Sequence, residues 1–133
     1  ETNGITIGND PTFSEELSRY KRLHVRVSIK GSNEQEYETL TNARRSSYSL
    51  PFKALEYLMD SGVSCNACVM ISFSNSDSIK SIKDRLKRIR PGLLKSLELE
   101  NITLFPKVAK NLKRLKLTPN TVRHMGKIIK IKK

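Results

Sequence analysis

The chain has 133 residues, enough for one modest domain with its own core. It carries 25 Lys+Arg against 13 Asp+Glu, has no tryptophan, and holds no apolar run near the roughly 18 residues of a membrane span. That excludes a helical membrane protein, and with no signal-peptide pattern and two thiols that read as reduced, it fits a cytoplasmic protein.

In chain order, Asp10-Pro11 ends an opening loop, and Thr12 with Glu15 three residues on reads as a capping box for a helix to about Lys21. Leu23 to Gly31, LHVRVSIKG, alternates at period two: Val25, Val27 and Ile29 on one face, Arg26, Ser28 and Lys30 on the other. That predicts a strand. Gly31 to Asn42 is polar and acidic and reads as a loop with one helical turn. Leu50 to Ser61 is predicted helical on the stripe Leu55, Leu58 and Met59, with Gly62 as its stop.

Val63 to Phe73 is the next strand, with Val69, Ile71 and Phe73 on one face and Met70, Ser72 and Ser74 on the other. Asn75 or Ser76 caps a helix whose buried stripe is Ile79, Ile82, Leu86 and Ile89, closed by Pro91-Gly92. Leu97 to Phe105 is a third strand. Val108, Leu112 and Leu115 place a helix over Lys107 to Lys116. Thr118-Pro119 reads as the cap and first turn of a short helix toward His124, with a frayed basic end from Ile128. Strands alternating with helices predict an α/β fold with a parallel sheet, right-handed crossovers and helices on one face.

Cys65 and Cys68 form C-x-x-C, a spacing shared by redox motifs and half zinc sites. Here the pair sits inside a strand with no second pair and no nearby histidine, so the reading is two small buried thiols and no metal ligands. The charge is lopsided: residues 1–76 hold 8 Lys+Arg and 9 Asp+Glu, residues 77–133 hold 17 and 4. The basic half permits contact with nucleic acid or another acidic surface; equally, it fits solvated lysine-rich helix faces.

Two successive strands show one apolar and one polar or mixed face. An ordinary eight-stranded barrel fills its lumen with branched apolar side chains. Arg26, Ser28 and Lys30 there would be costly to bury unless paired or ligand-bound. The polar face therefore either looks at water or lines a lumen that holds a ligand.

ETNG at 1–4, HVRVSIKGSN at 24–33, LTNA at 40–43, FKALEYLMDSGV at 52–63 and VMISFS at 69–74 together resemble the radical S-adenosylmethionine (radical SAM) superfamily, most closely an archaeal subgroup. The likeness extends more weakly to Leu117. It implies a partial (β/α) barrel of parallel strands and outer helices over residues 1–117, a half-barrel fragment, with residues 118–133 a short helix and basic tail. ETNG would end the third barrel strand, with LHVRVSIKG the fourth.

The resemblance implies Thr2 and Asn3 near the methionine end of S-adenosylmethionine and Ser28 and Lys30 near its ribose or carboxylate. Arg26 would be a carboxylate partner, and Ser72 part of the same wall. The family's C-x-x-x-C-x-x-C is absent, as is its glycine-rich second-strand segment, and Asn42 stands where relatives tend to have glycine. The [4Fe–4S] cluster is accordingly expected only in a missing N-terminal half, and this chain is expected to hold no catalytic residue of its own. The implied partners are that half or a second copy joined through exposed sheet edges, with nucleic acid bound only weakly. The competing readings are a basic nucleic-acid-binding module and a half-domain partner of a cluster-bearing chain.

Overall fold

Branched apolar residues at alternate positions make His24–Lys30 the first strand, β1. Strand β2, Ser64–Met70, lies parallel to it, in a register that sets Val25 beside Cys65, Val27 beside Ala67 and Ile29 beside Val69. A short third strand, β3 (Glu98–Glu100), adds in parallel on the far side of β2. Thr2 bridges to Val27 on the free side of β1. The computed structural model describes residues 1–131; the fold is mixed α/β, and its parallel sheet is open, with no closed barrel among the described residues.

Two short helices, α1 (Ile5–Asn9) and α2 (Pro11–Leu17), precede β1. The crossover to β2 runs through α3 (Glu34–Thr41), a 3-10 turn at Arg45–Ser49, and α4 (Leu50–Asp60). The crossover to β3 is α5 (Ser76–Ile89). Asn75 caps α5 by accepting from the Ser78 N–H at 2.8 Å, with Asp77 in its first turn and Lys87 and Arg88 in its last, charges that complement the helix dipole.

Val25, Val27, Ile29, Ala67 and Val69 form one cluster with Ile7, Tyr37, Phe52, Leu55, Leu58, Ile82 and Leu86. The core therefore lies between the helices and one face of the sheet, as the alternation predicts. Cys68 and Met70 are also buried, but they stand outside that cluster, in register with Ser28 and Lys30 on the opposite face.

The ends of the chain depart from the sequence reading. Residues 5–9 are helical rather than loop, and α1 packs so closely on α4 that a Cβ on Gly8 would stand 2.2 Å from the Leu50 carbonyl oxygen. The cap of the following helix is Asp10, not Thr12: its Oδ1 accepts from the Thr12 N–H at 3.0 Å and from the Thr12 hydroxyl at 2.6 Å. That helix stops at Leu17, short of Lys21. The acidic loop is helix α3, capped by Asn33, which accepts from the Glu36 N–H, and ended by Asn42 in the left-handed conformation (φ 57°). Asparagine, like glycine, suits that φ. The third strand is only three residues long, because the chain beyond Glu100 turns to pair elsewhere.

After α6 (Pro106–Arg114) comes no short helix but an antiparallel hairpin, β4 (Thr121–His124) and β5 (Lys127–Lys130). The two turn residues, Met125 (φ 47°) and Gly126 (φ 80°), both have positive φ, as a type I′ hairpin turn requires. That turn, with the β-branched pairs Thr121-Val122 and Ile128-Ile129 on its two sides, outweighs the Thr118-Pro119 helix signal. Thr103 forms an isolated parallel bridge to Arg123, which sets the hairpin, a two-stranded sheet of its own, beside residues 102–104. Lys132 and Lys133, the end of the expected basic tail, lie outside the described residues. Among those described, no helix is long and apolar enough to cross a membrane.

Candidate functional site

Parallel register assembles the polar face row by row: Arg26 beside Asn66, Ser28 beside Cys68 and Glu98, Lys30 beside Met70 and Glu100. Arg26 is the hub. Its Nε and Nη2 donate to Glu98 at 3.1 and 2.9 Å, its Nη1 to Glu1 at 2.7 Å, and its Nη2 also to Glu100 and, at 2.9 Å, to the Cys68 sulfur. Behind it, the Asn66 amide donates to Glu98 (2.7 Å) and to the Ser96 carbonyl (3.2 Å). Those bonds turn Asn66 Oδ1 toward His24 Nε2, 2.9 Å away, so in the neutral ring Nε2 carries the proton and Nδ1 accepts from the Ser64 hydroxyl at 2.7 Å.

The electrostatics follow from these contacts. Hydrogen bonds from Arg26 first, then Asn66, hold the Glu98 carboxyl below the ordinary carboxylate range. Glu100 is lowered by a hydrogen bond from Cys68, opposed in part by burial, and then by Arg26. The Arg26 guanidinium is raised in turn by Glu98 and Glu100. Burial pushes the Cys68 thiol up to about 12 and the Cys65 thiol up to about 11. The two sulfurs belong to opposite faces: Cys65 is in register with Val25, Cys68 with Ser28. One chain therefore cannot offer both to a single metal cluster on either face. Cys68 Sγ and one oxygen each of Glu98 and Glu100 lie within 4.8 Å of one another, a spacing that a cation can bridge, and Arg26 is the cation that stands among them.

The residues singled out from the sequence divide into two groups. Arg26, Ser28 and Lys30 share the polar face. Arg26 is already satisfied by three carboxylates of its own chain. Ser28 is buried and its hydroxyl has no partner, and Lys30, half-buried, forms no salt bridge among the described residues.

Thr2, Asn3 and Ser72 are spent on the backbone. Thr2 Oγ1 accepts from the Gly4 N–H at 3.1 Å, on the face of Val27, and Asn3 Oδ1 accepts from the Ile5 N–H at 3.0 Å. Ser72, fully buried, accepts from the Ile102 N–H at 2.8 Å, and its carbonyl accepts from the Asn120 and Thr121 N–H groups.

The sequence reading missed Glu98 and Glu100, whose E-L-E alternation places both on the face of Arg26. It also missed Glu36, whose Oε2 accepts from the Ser32 N–H at 2.9 Å and from the Ser74 hydroxyl at 3.0 Å, tying the loops after β1 and β2 together. Its signal was the N-x-x-E spacing of Asn33 and Glu36 at a helix start. Beside the network, Glu98, Glu100, Asn101, Thr103 and Arg123 line a polar cleft of about 570 Å3. Comparison with protein-family models, with curated proteins and with solved structures finds no match for this chain.

Proposed function

We propose that the chain is part of a cytoplasmic radical SAM enzyme, supplying a stretch of the barrel wall that holds S-adenosylmethionine. The reading rests on the resemblance of its motifs. The observation that favours it is one pair of groups on the helix-free face of a parallel sheet: among the described residues, a buried Ser28 hydroxyl without a hydrogen-bond partner and Lys30 without a salt bridge. A ribose hydroxyl would satisfy the first and a carboxylate the second, at atoms that otherwise gain nothing from burial. Arg26 shapes the wall through Glu98 and Glu100 instead of meeting the cofactor's carboxylate. Thr2, Asn3 and Ser72 hold the rim.

The residues fit the ribose and carboxylate of S-adenosylmethionine and do not fit an iron–sulfur cluster, whose cysteines would come from a partner half. When bound together, cluster and cofactor supply a radical; this chain's part is to bind and orient. The test is calorimetric titration of S-adenosylmethionine into the chain alone and into the chain co-expressed with a C-x-x-x-C-x-x-C-bearing half. Weak binding alone, tighter binding in the complex, and loss with Ser28→Val or Lys30→Met are expected. Tight binding by the isolated monomer, or none in either sample, overturns the reading.

A further inference from the structure

A second place in the molecule holds buried polar groups that nothing among the described residues satisfies. It lies in the helix layer, away from the Arg26 network, where the loop after β1 meets the 3-10 turn before α4 and the middle of α5. Ser32, Asn33, Glu34, Tyr48, Ser81 and Arg85 surround a cleft of about 210 Å3 there, with Ile82. Ser32 is 6% exposed and Tyr48 4%, and neither hydroxyl has a hydrogen-bond partner among the described residues.

Tyr48 cannot turn to find one. Its ring is tilted against Tyr37, centroids 5.7 Å apart, and edge-on to Phe52 at 5.3 Å, so the hydroxyl is fixed in place. Ser32 has its N–H committed to Glu36, which leaves the side-chain oxygen as its free group. Native proteins rarely leave such groups orphaned, and those that do commonly keep them for a ligand or bound water.

The third member is a cation. The Arg85 guanidinium lies 3.7 Å from the Phe52 ring centroid and 5.6 Å from that of Tyr48, and it forms no salt bridge among the described residues. Ring faces orient a guanidinium but leave its N–H fork unfilled. Burial first, and then the like charge of Arg88, disfavour its charged form, opposed in part by Tyr48 and Glu34. Glu34, exposed, lines the same cleft.

We propose that this cleft is a binding site for a small oxyanion, a phosphate or carboxylate group, accepted by the Arg85 fork and by the Ser32 and Tyr48 hydroxyls. Two buried hydroxyls and a planar cation, all on residues that line one small cleft, match an oxyanion's several acceptor positions. The volume admits a phosphate or a short carboxylate group.

The test uses the full 133-residue chain, isotope-labelled, at constant ionic strength set with chloride. Inorganic phosphate is titrated in one arm and acetate in the other, following the amide signals of Ser32, Asn33 and Tyr48 and the Arg85 Nε–H. Saturable shifts confined to these groups in either arm are expected; the stronger arm identifies the class. Tyr48→Phe, which keeps the ring packing, should weaken binding about tenfold, and Arg85→Gln should abolish it. Should Arg85→Gln fail to fold, Tyr48→Phe and Ser32→Ala still decide. Shifts spread over the surface lysines and unchanged in these variants would mean an adventitious ion only, and the proposal would fall; so would the absence of shifts in both arms.

Discussion

Arg26, in the middle of β1, reaches across β2 and grips Glu98 of β3 with two nitrogens, at 3.1 and 2.9 Å from one carboxylate oxygen. One side chain thus spans all three parallel strands, with Cys68 beneath it and Glu100 beside it. The sheet's polar face is organised by charge where its other face is organised by burial.

A pH dependence follows from the direction of the shifts. Glu98 and Glu100 titrate lower in the folded chain than the ordinary value of about 4.5. Carboxyls lowered by folding contribute stability that is fully present above the unfolded value and is lost as pH falls through the folded ones. Urea midpoints should therefore be flat from pH 7 to about 5 and drop below about 4.5. In Arg26→Gln that acid-side drop should shrink. An undiminished acid slope in the variant would show that other carboxylates carry it.

Gly8→Ala should destabilise the protein by on the order of 1–3 kcal/mol, since the new Cβ meets the Leu50 backbone at 2.2 Å and α1 must move off α4. Chemical denaturation measures it. A variant as stable as its parent would mean that the α1–α4 contact is not made in solution.

Met125 occupies a left-handed turn position that asparagine or glycine tolerates better, and it is 89% exposed, so it contributes no packing there. Met125→Asn should raise stability by about 0.5–1 kcal/mol, read as a higher melting temperature, while Met125→Val should lower it. Equal melting temperatures for the three proteins would argue against the hairpin.

Both thiols should be sluggish. With Cys65 at about 11 and Cys68 at about 12, almost no thiolate exists at pH 7.5, so iodoacetamide should label either far more slowly than a free cysteine peptide. Anaerobic incubation with iron and sulfide should give no thiolate–iron absorbance that is sensitive to Cys65→Ala. A stoichiometric, Cys65-dependent chromophore would contradict the opposed placement of the two sulfurs.

The basic half sets a last expectation. Residues 77–133 carry 17 Lys+Arg against 4 Asp+Glu, so single-stranded RNA should bind weakly and lose affinity steeply with salt as counterions are released. A tight, sequence-selective complex at physiological salt would favour the nucleic-acid-binding module over the barrel-wall reading.

The elements legible in the sequence were those whose pattern is local. β1 showed itself through Val25, Val27 and Ile29, α4 through Leu55 and Leu58 with Gly62 behind them, and α5 through the Asn75 cap and the Ile82–Leu86 stripe. Helix α1 has a glycine at its N-cap, with only Asn3 accepting from the Ile5 N–H, and no apolar period; it exists because Gly8 lets it sit on Leu50. Met125-Gly126 was a hairpin turn hidden by a methionine where asparagine would have announced it. At the site, the face of Arg26 was legible and its partners were not. Glu98 lies 72 positions on, and only the strand order β1-β2-β3 brings the two together.

Ser72 also orders events in time. Its hydroxyl receives the chain as it leaves β3, and its carbonyl receives the chain as it enters β4. The hairpin is held by Asn120 and Thr121 on the Ser72 carbonyl and by Arg123 on Ile102 and Leu104, segments that the β2–β3 pairing positions, so it has nowhere to dock until β2 and β3 are in place. Residues 118–131 should therefore be the last segment to fold and the first to come loose, opening as a unit while the β1–β2 pair and its helices stay shut.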